Sequence, residues 1–464
     1  MVRMFGRYVP IKIIILAITE CGLIILSVLL AAWIRFGNLA DTSWYLTRPY
    51  TMAQIATVVV ICWLCLYYND LYDLQVVARR SELVVHLMQS LGTAALILAL
   101  LYYVQPDLSL GRGVAVLTAA LILVTLIAWR LTVETGKFFR PVHRIVIAGT
   151  GPGGVRLVRE ILAHPELNLK VLGFLDERGE NIGKPLVNPG IVGGVNEIEA
   201  FVRREQVDWV ILAFGERRGV MPTRELLRLK LSGVRIEDAH SLFEKLMGGV
   251  MLERLSASWL VLSEGFRKDY LLMFTKRFLD VVISALVLFL LSPLLLLIAL
   301  AIVLESGTPV LFRQERVGLH GRTFSILKFR SMKNDAEEGG AVWATHGDAR
   351  ITRVGKILRR YRLDELPQMV NILRGDMSVV GPRPERPEFV GMLGEQIPFY
   401  HERHTVRPGL TGWAQIKYQY GSSVEDAKTK LEYELFYIKH LSLFLDLLIV
   451  FQTVQVVFAG KGSR

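Results

Sequence analysis

Cysteine is scarce, with three in 464 residues. Cys62 and Cys65 have C-x-x-C spacing, yet both lie inside apolar runs, as does Cys21, where a thiolate would be poorly solvated. Redox and metal roles therefore give way to packing or lipid-facing ones. Charge is thin as well: Asp, Glu, Lys and Arg make up 21% of the chain against 52% apolar residues, a balance that a water-soluble protein of this size rarely tolerates. No small-x-small cleavage site follows the first apolar run, which is longer than a signal-peptide core, so that run is expected to stay attached. The charge that is present leans one way, to a net +11. With membrane segments in the chain, that excess suits anionic headgroups or phosphorylated ligands better than nucleic acid.

The length exceeds one ordinary core and predicts two or three folded units. Four apolar stretches, about 11–34, 50–68, 83–104 and 114–129, approach or exceed the ~17 to 25 residues that a helix needs to cross a bilayer. Arg3, Arg7 and Lys12 begin the first stretch, Arg79 and Arg80 separate the second and third, and Arg130, Lys137, Arg140 and Arg144 follow the fourth. Both ends of this bundle are therefore expected on the cytoplasmic side.

From Arg144 the pattern becomes α/β. A strand-like run, 145–148, leads into Gly149-Thr-Gly151-Pro-Gly153-Gly154 and then a helical stretch, 155–162. This is G-x-G-x-x-G in a Rossmann-like context, where Gly149, Gly151 and Gly154 either present amides to a phosphate or only close a tight turn. A second strand-like run ends at Asp176, near where a ribose-binding acid would sit, and a third covers 209–213. The unit, 141–262, is expected to hold one half of a dinucleotide fold rather than both.

A further apolar run, about 278–304, is interrupted at Ser292-Pro293, where the helix should break at membrane depth. Lys276 and Arg277 before it and Arg313 and Arg316 after it put the cytoplasmic signature on both flanks. A re-entrant helix explains both features, the alternative being a kinked fifth crossing. The last apolar segment, 441–458, contains Asp446, Gln452 and Gln455 and is expected to lie at the interface or pack on its neighbours rather than cross.

Chemistry-bearing residues concentrate between Arg313 and Gly421. Asp364 and Glu365 stand in Leu363-Asp-Glu-Leu-Pro367-Gln368, where Asp364 is suited to N-cap a helix that has Pro367 in its first turn and Gly375 as its stop. Cations crowd the pair: Arg359, Arg360 and Arg362 before it, Arg374 and Arg383 after it, Lys328 and Arg330 upstream. Such charges suit a diphosphate and should keep Asp364 ionised, as a nucleophilic carboxylate requires.

Lys328-Phe-Arg330-Ser-Met332, Leu363-Asp-Glu-Leu-Pro-Gln368, Asn371-Ile-Leu-Arg-Gly375-Asp-Met-Ser, Val380-Gly-Pro-Arg-Pro384 and Arg407-Pro-Gly-Leu-Thr-Gly-Trp413 follow one another in the order that resembles the bacterial sugar transferase family of monotopic phosphoglycosyl transferases. The four-span bundle and middle domain resemble its large branch, the polyprenyl glycosylphosphotransferases. The resemblance implies a multidomain membrane protein: a four-helix bundle, 1–140; a Rossmann-like α/β domain, 141–262; and an α-rich monotopic catalytic domain, 263–464, with a re-entrant helix broken at Ser292-Pro293. It also implies that Asp364 attacks the β-phosphorus of a nucleotide diphosphate sugar, a UDP-sugar being the donor expected from the family, and that polyprenyl phosphate collects the sugar phosphate to begin exopolysaccharide synthesis. Mg²⁺ is the implied cofactor, held by Asp364 and Glu365, with Glu365 either holding the metal or activating the acceptor. Arg359, Arg383, Lys328 and Arg330 are implied near nucleotide or phosphate. The implied setting is the bacterial inner membrane with both soluble domains cytoplasmic, and the implied partners are membrane lipid, a second copy and downstream assembly enzymes.

One departure is Ile416-Lys-Tyr-Gln-Tyr420-Gly421 where much of the family has Val-Asn-Gly-Arg; with Val424-Glu-Asp426 it resembles the exosortase-associated branch. His401 and His404, beside Glu402, read as a surface helix feature rather than a metal site. An NAD-dependent nucleotide-sugar dehydratase or epimerase would need Tyr-x-x-x-Lys on a helix near the glycine loop, and that spacing occurs only from Tyr8 to Lys12. A non-catalytic assembly scaffold is the other rival, opposed by the density of signatures around Asp364.

Overall fold

In a computed structural model, residues 2–4, 7–9, 11–69, 71–72, 80–135, 142–214, 221–252, 263, 265–266, 268–332, 350–418 and 423–458 are described. Arg79, Lys137, Arg140, Tyr420 and Gly421 lie outside them. The chain divides into two compact units, mainly Tyr8–Glu237 and Asp238–Arg464.

The first unit opens with four long helices, α1 (Ile11–Phe36), α2 (Thr51–Tyr68), α3 (Arg80–Val104) and α4 (Arg112–Thr135). Each carries a stretch long and apolar enough to cross a membrane. The protein is thus a membrane protein by its helices. Cys62 and Cys65 are buried among Val58, Leu66 and Leu87, so the cysteines are packing residues and form no disulfide.

The fourth helix runs past the expected end at residue 129 and takes in Arg130, which the bundle buries. Arg130 is 2% exposed and Glu20 fully buried. The guanidinium donates through Nη2 to Glu20 Oε2 at 3.0 Å and through Nη1 to the Leu71 carbonyl, while the Tyr72 hydroxyl donates to Glu20 at 2.7 Å. Arg130 is therefore a correction to the topology tally: it is a buried partner of α1, not a solvated flank. Removing one member strands a buried charge, which costs ~3–5 kcal/mol. Arg130→Met should accordingly lower the thermal midpoint of the detergent-solubilised protein, and adding Glu20→Leu should recover part of the loss. An unchanged midpoint for the single variant would refute this role.

The α/β domain of the same unit alternates strands and helices: β1 (His143–Ala148), α5 (Pro152–Ala163), β2 (Leu169–Asp176), β3 (Ile191–Gly194), α6 (Ile198–Glu205), β4 (Trp209–Leu212), α7 (Thr223–Leu231) and β5 (Arg235–Asp238). The sheet order is β3-β2-β1-β4-β5, with β1 parallel to β2 and β4, and β2 parallel to β3. This is five of the strands of a doubly wound sheet, more than the half-domain expected. The two strands that the sequence reading passes over, Ile-Val-Gly-Gly and Arg-Ile-Glu-Asp, are short and lack an apolar run.

In the second unit, α8 (Ala239–Met247) is followed by α9 (Tyr270–Leu290) and α10 (Ser292–Ser306), an apolar pair bent by 63°. Pro293 has no amide to offer the Phe289 carbonyl one turn back, and the Ser292 hydroxyl donates to that carbonyl instead, at 2.8 Å. The chemistry at the break thus follows directly from Ser-Pro. Beyond it come an antiparallel hairpin, β6 (Leu311–Val317) and β7 (Thr323–Phe329); α11 (Arg353–Arg360); a 3₁₀ turn, Leu363–Glu365; α12 (Gln368–Arg374); β8 (Ser378–Val380); α13 (Pro387–Gln396); β9 (Gly409–Thr411); α14 (Trp413–Lys417); α15 (Val424–Lys439); and α16 (Leu443–Phe458). Strands β8 and β9 pair in parallel.

Polar side chains on the first half of α9 fasten it to this unit. Lys276 donates to Asp446 at 2.7 Å and to the Val380 carbonyl at 3.0 Å, Arg277 to the carbonyls of Ile372 and Leu373, and Asp280 accepts from the Val379 amide at 2.9 Å. Asp446 lies on α16, whose Leu445 and Ile449 are buried in the main core of the unit. The last apolar segment therefore packs on its own unit, as its interruption by Asp446 suggested.

Candidate active site

The site is built where four elements converge on one short turn. Asp364 and Glu365 occupy the 3₁₀ turn between α11 and α12. Arg362, immediately before it, has φ 54° and ψ 23°, left-handed values that cost a non-glycine residue about 1–3 kcal/mol and mark an over-determined position. Asp364 does not cap the next helix: α12 starts at Gln368, with Pro367 as its cap residue and no side chain accepting from its amides. The capping expectation is corrected here, while Gly375, at φ 96°, does end that helix.

Glu365 is buried and spoken for. Its Oε1 accepts from Arg383 Nη2 at 2.7 Å and from Lys328 Nζ at 3.3 Å. Burial alone would raise its pKa, but Arg383 and Lys328 outweigh that and hold it well below the ordinary carboxylate range. Asp364 is half-buried and has the opposite bias: burial first, then the neighbouring Glu365 charge, push it up to about 6 against Lys328, Arg359 and Arg383. The cations expected to keep Asp364 ionised do pull its carboxyl down, but burial and Glu365 outweigh them. The pair is asymmetric, with one carboxylate locked in ion pairs and one poised to change protonation near neutrality.

Of the cations expected around the pair, Lys328, Arg359 and Arg383 act on Asp364, and Arg362 acts on Glu365. Lys328, near the end of β7, is pushed down by burial and partly restored by Glu365. Arg359, on α11, donates through Nε to the Ser331 hydroxyl at 2.9 Å, which sets its direction. Arg330 stands apart: its Nη2 donates to the Ser306 carbonyl, the Ser306 hydroxyl and the Gly307 carbonyl, so it closes the end of α10. Asn371 ties α12 to the hairpin, accepting from the Leu327 amide at 3.0 Å and donating to the Ser325 carbonyl at 2.8 Å.

Sequence reasoning missed the layer behind Arg383. Arg403 is buried, donating to Glu434 at 2.7 Å, to the Arg383 carbonyl at 2.8 Å and to the Tyr400 hydroxyl at 2.8 Å. The only signal was the cationic character of a segment read as surface. His404 is likewise buried, and burial followed by Arg403 pushes it down to about 4, so at neutral pH it is an uncharged packing residue. Among the described residues no group of three or more His, Cys, Asp and Glu is arranged to hold a metal. Breaking the Arg403–Glu434 pair with Arg403→Met should cost ~3–5 kcal/mol of stability, readable as a lower thermal midpoint. Retention of the full midpoint would show that the pair is not a support.

Backbone packing accounts for two of the glycine-rich signatures. A Cβ at Gly381 would lie 2.3 Å from the Arg407 carbonyl oxygen, and one at Gly412 would lie 2.2 Å from that of Gly381. Val380-Gly-Pro-Arg and Pro-Gly-Leu-Thr-Gly are thus the two sides of one close backbone contact, which presents Arg383 to Glu365.

The glycine loop of the α/β domain is a separate matter. The Gly149 amide donates to Leu175, that of Gly151 to Ala213 and that of Gly154 to Gly151, while Pro152 has none. Asp176 accepts from the amides of Glu180 and Asn181 and so caps its own turn. A Cβ at Gly154 would lie 2.5 Å from the Ala213 side chain. Tight packing against the end of β4 accounts for these residues without a ligand. Tyr8 belongs to a short strand, Arg7–Val9, and Lys12 to α1, so the Tyr-x-x-x-Lys spacing is not on one helix.

Residues 271–460 match the family described as bacterial sugar transferase, and residues 67–228 match one described as a CoA-binding domain. Over 482 aligned positions the chain is 31% identical to the UDP-glucose:undecaprenyl-phosphate glucose-1-phosphate transferase of Xanthomonas campestris pv. campestris, covering 99% of this chain and 96% of that one. The chain belongs to the bacterial sugar transferase family. It is also 43% identical over 241 residues to the UDP-N-acetylgalactosamine-undecaprenyl-phosphate N-acetylgalactosaminephosphotransferase of Aeromonas hydrophila. That match covers 52% of this chain and 56% of the relative, so the chain spans just over half of that protein's length. A UDP-glucose:undecaprenyl-phosphate glucose-1-phosphate transferase of Caulobacter vibrioides is 49% identical over 190 residues, 40% of this chain and 71% of the relative. All of the residues around Asp364 described above lie inside the span that matches the family.

Proposed function

We propose that this bacterial sugar transferase moves a sugar 1-phosphate from a nucleotide diphosphate sugar, a UDP-sugar by analogy with its relatives, to polyprenyl phosphate at the cytoplasmic face of the inner membrane. The observation that carries the reading is the asymmetric pair: a half-buried Asp364, ringed by Lys328, Arg359 and Arg383, beside a Glu365 that is locked in ion pairs.

In the first step an Asp364 carboxylate oxygen attacks the β-phosphorus, the bond between that phosphorus and the bridging oxygen breaks, and nucleoside monophosphate leaves with the electron pair. In the second, a phosphate oxygen of the lipid attacks the sugar-phosphoryl aspartate, freeing the Asp364 carboxylate and forming the lipid diphosphate sugar. Lys328, Arg359 and Arg383 stabilise the charge that accumulates on the phosphoryl oxygens. Asp364 and the Glu365 oxygen not taken by Arg383 can hold Mg²⁺, which is usually bound by one or two carboxylates together with substrate phosphates. When bound, the ion would spread the charge of the diphosphate. The broken pair α9–α10 is read as re-entrant, entering and leaving by the same face, which keeps Asp364 where a soluble donor and a lipid phosphate can both reach it.

Purified protein supplied with candidate nucleotide-sugars, Mg²⁺ and undecaprenyl phosphate should release nucleoside monophosphate. Asp364→Asn keeps the shape and removes the nucleophile, so release should fall by at least about a thousandfold, within the range for loss of a covalent catalyst. Full activity in that variant would sink the covalent mechanism.

The pH profile offers a second check. Attack requires ionised Asp364, whose carboxyl is pushed up to about 6 by burial and by the neighbouring Glu365 charge. Protonation on the acid side removes the nucleophile, so single-turnover release should hold above pH 7 and decline as pH falls through about 6. A rate that stays flat down to pH 4.5, the ordinary carboxylate range, would contradict this assignment.

A further inference from the structure

We propose that the outward face of α11 is a docking surface for anionic lipid headgroups. Glu305, in the last turn of α10, accepts from the amides of Arg353 at 2.7 Å and Val354 at 2.9 Å, the first residues of α11. Arg330 closes the next residues, Ser306 and Gly307, from the other side. Helix α10 is apolar and largely uncovered up to this point, with Leu304 78% exposed. Where such a helix ends, the chain leaves the hydrocarbon, because irregular backbone there would lose its hydrogen bonds. A helix that begins within a hydrogen bond of that exit is held at headgroup depth.

The side chains of α11 divide accordingly. Val354 and Leu358 point inward, packing with Ile298, Ile302 and Phe329. The outward face carries Arg353, Lys356, Ile357 and Arg360, followed by Tyr361, and all five are exposed. Ile357 is 58% exposed and Tyr361 50% exposed. The helix contains no acidic residue to offset its cations. Two large apolar groups interleaved with three cations suit neither bulk water nor hydrocarbon. They suit the boundary, where Ile357 enters the acyl edge, the Tyr361 ring straddles it and the basic side chains reach lipid phosphates. The charge complement chooses anionic headgroups over a neutral surface. Arg359, on the same helix, faces Asp364 instead. Lipid contact on one side of α11 therefore sets the depth of the carboxylate pair on the other. The inference stands independently of the reaction proposed above.

The test uses the full chain with Cys21, Cys62 and Cys65 replaced by alanine and Ile357→Cys carrying a fluorescent label, reconstituted in phosphatidylcholine bilayers with or without phosphatidylglycerol. A nitroxide near the top of the acyl chain should quench the label, acrylamide in the water should not, and phosphatidylglycerol should strengthen the lipid quenching. R353Q/K356Q/R360Q should weaken the dependence on phosphatidylglycerol, by about fivefold per cation removed. Because the label at 357 is read first in the otherwise unchanged helix, the result does not depend on how that triple variant folds. Quenching by acrylamide would show a water-facing helix and overturn the proposal. Protection from both quenchers would show a protein cover, a second copy included, and overturn it equally.

Discussion

Two carboxylates at adjacent positions of one buried turn repel each other, and the surrounding structure is arranged to hold them there. Were both left without partners, burial would drive both toward the neutral acid. Lys328 and Arg383 resolve the conflict by taking one side, binding the same oxygen of Glu365. What remains is a single carboxylate, Asp364, that feels its neighbour's charge and the cations at once. Its acidity is a balance of these large opposing effects rather than the property of an isolated group. A site of this kind depends on small displacements of Arg383, because Coulomb terms in a poorly solvated turn are steep with distance.

That dependence explains why so much of the second unit is occupied with fixing one arginine. The backbone around Arg383 is held from below by the parallel contact between β8 and β9, from behind by Arg403, and through Val379 by Asp280 of α9. Each contact comes from a different part of the chain. Buried ion pairs are weak sources of net stability, since desolvation offsets most of their attraction. Their use here is positional: Lys276–Asp446 and Arg403–Glu434 fix which faces of α9, α15 and α16 meet the platform, a choice that apolar side chains alone would leave loose.

Much of this was legible in the sequence, for identifiable reasons. The four long apolar helices and the Ser-Pro break are set by local chemistry, and so are the strand-turn-helix at Gly149 and the end of α12 at Gly375. The gathering of Lys328, Arg359 and Arg383 on Asp364 was suggested by their proximity along the chain. What escaped depends on distant partners. Glu20 and Arg130 lie 110 residues apart, so nothing nearby reveals that Arg130 is buried. Arg330 sits two residues from Lys328 and has the same charge, yet it falls just past the end of β7, where strand alternation no longer holds it on the face of Lys328, and it reaches the end of α10 instead. Asp364 looked like a cap because the local pattern for a cap was complete. In the fold the pair instead occupies a 3₁₀ turn that follows the left-handed Arg362, and the helix begins only at Gln368.

The closeness of Arg330 and Lys328 also bears on how membrane position and chemistry are connected. Strand β7 sends Lys328 to Glu365, and Arg330, the residue just past its end, reaches the exit of the bent apolar helix. One helix, α11, sends Arg359 toward Asp364 and its first amides to Glu305 at that same exit. The carboxylate pair and the membrane helix are therefore joined by two short, hydrogen-bonded paths rather than by a flexible linker. A shift of α10 along its axis would move both paths together and disturb the cations on opposite sides of Asp364. The position of the helix in the bilayer thus becomes part of the geometry of the site. An enzyme whose two substrates meet only at the lipid surface would need that coupling, because a correctly formed site at the wrong depth would reach only one of them.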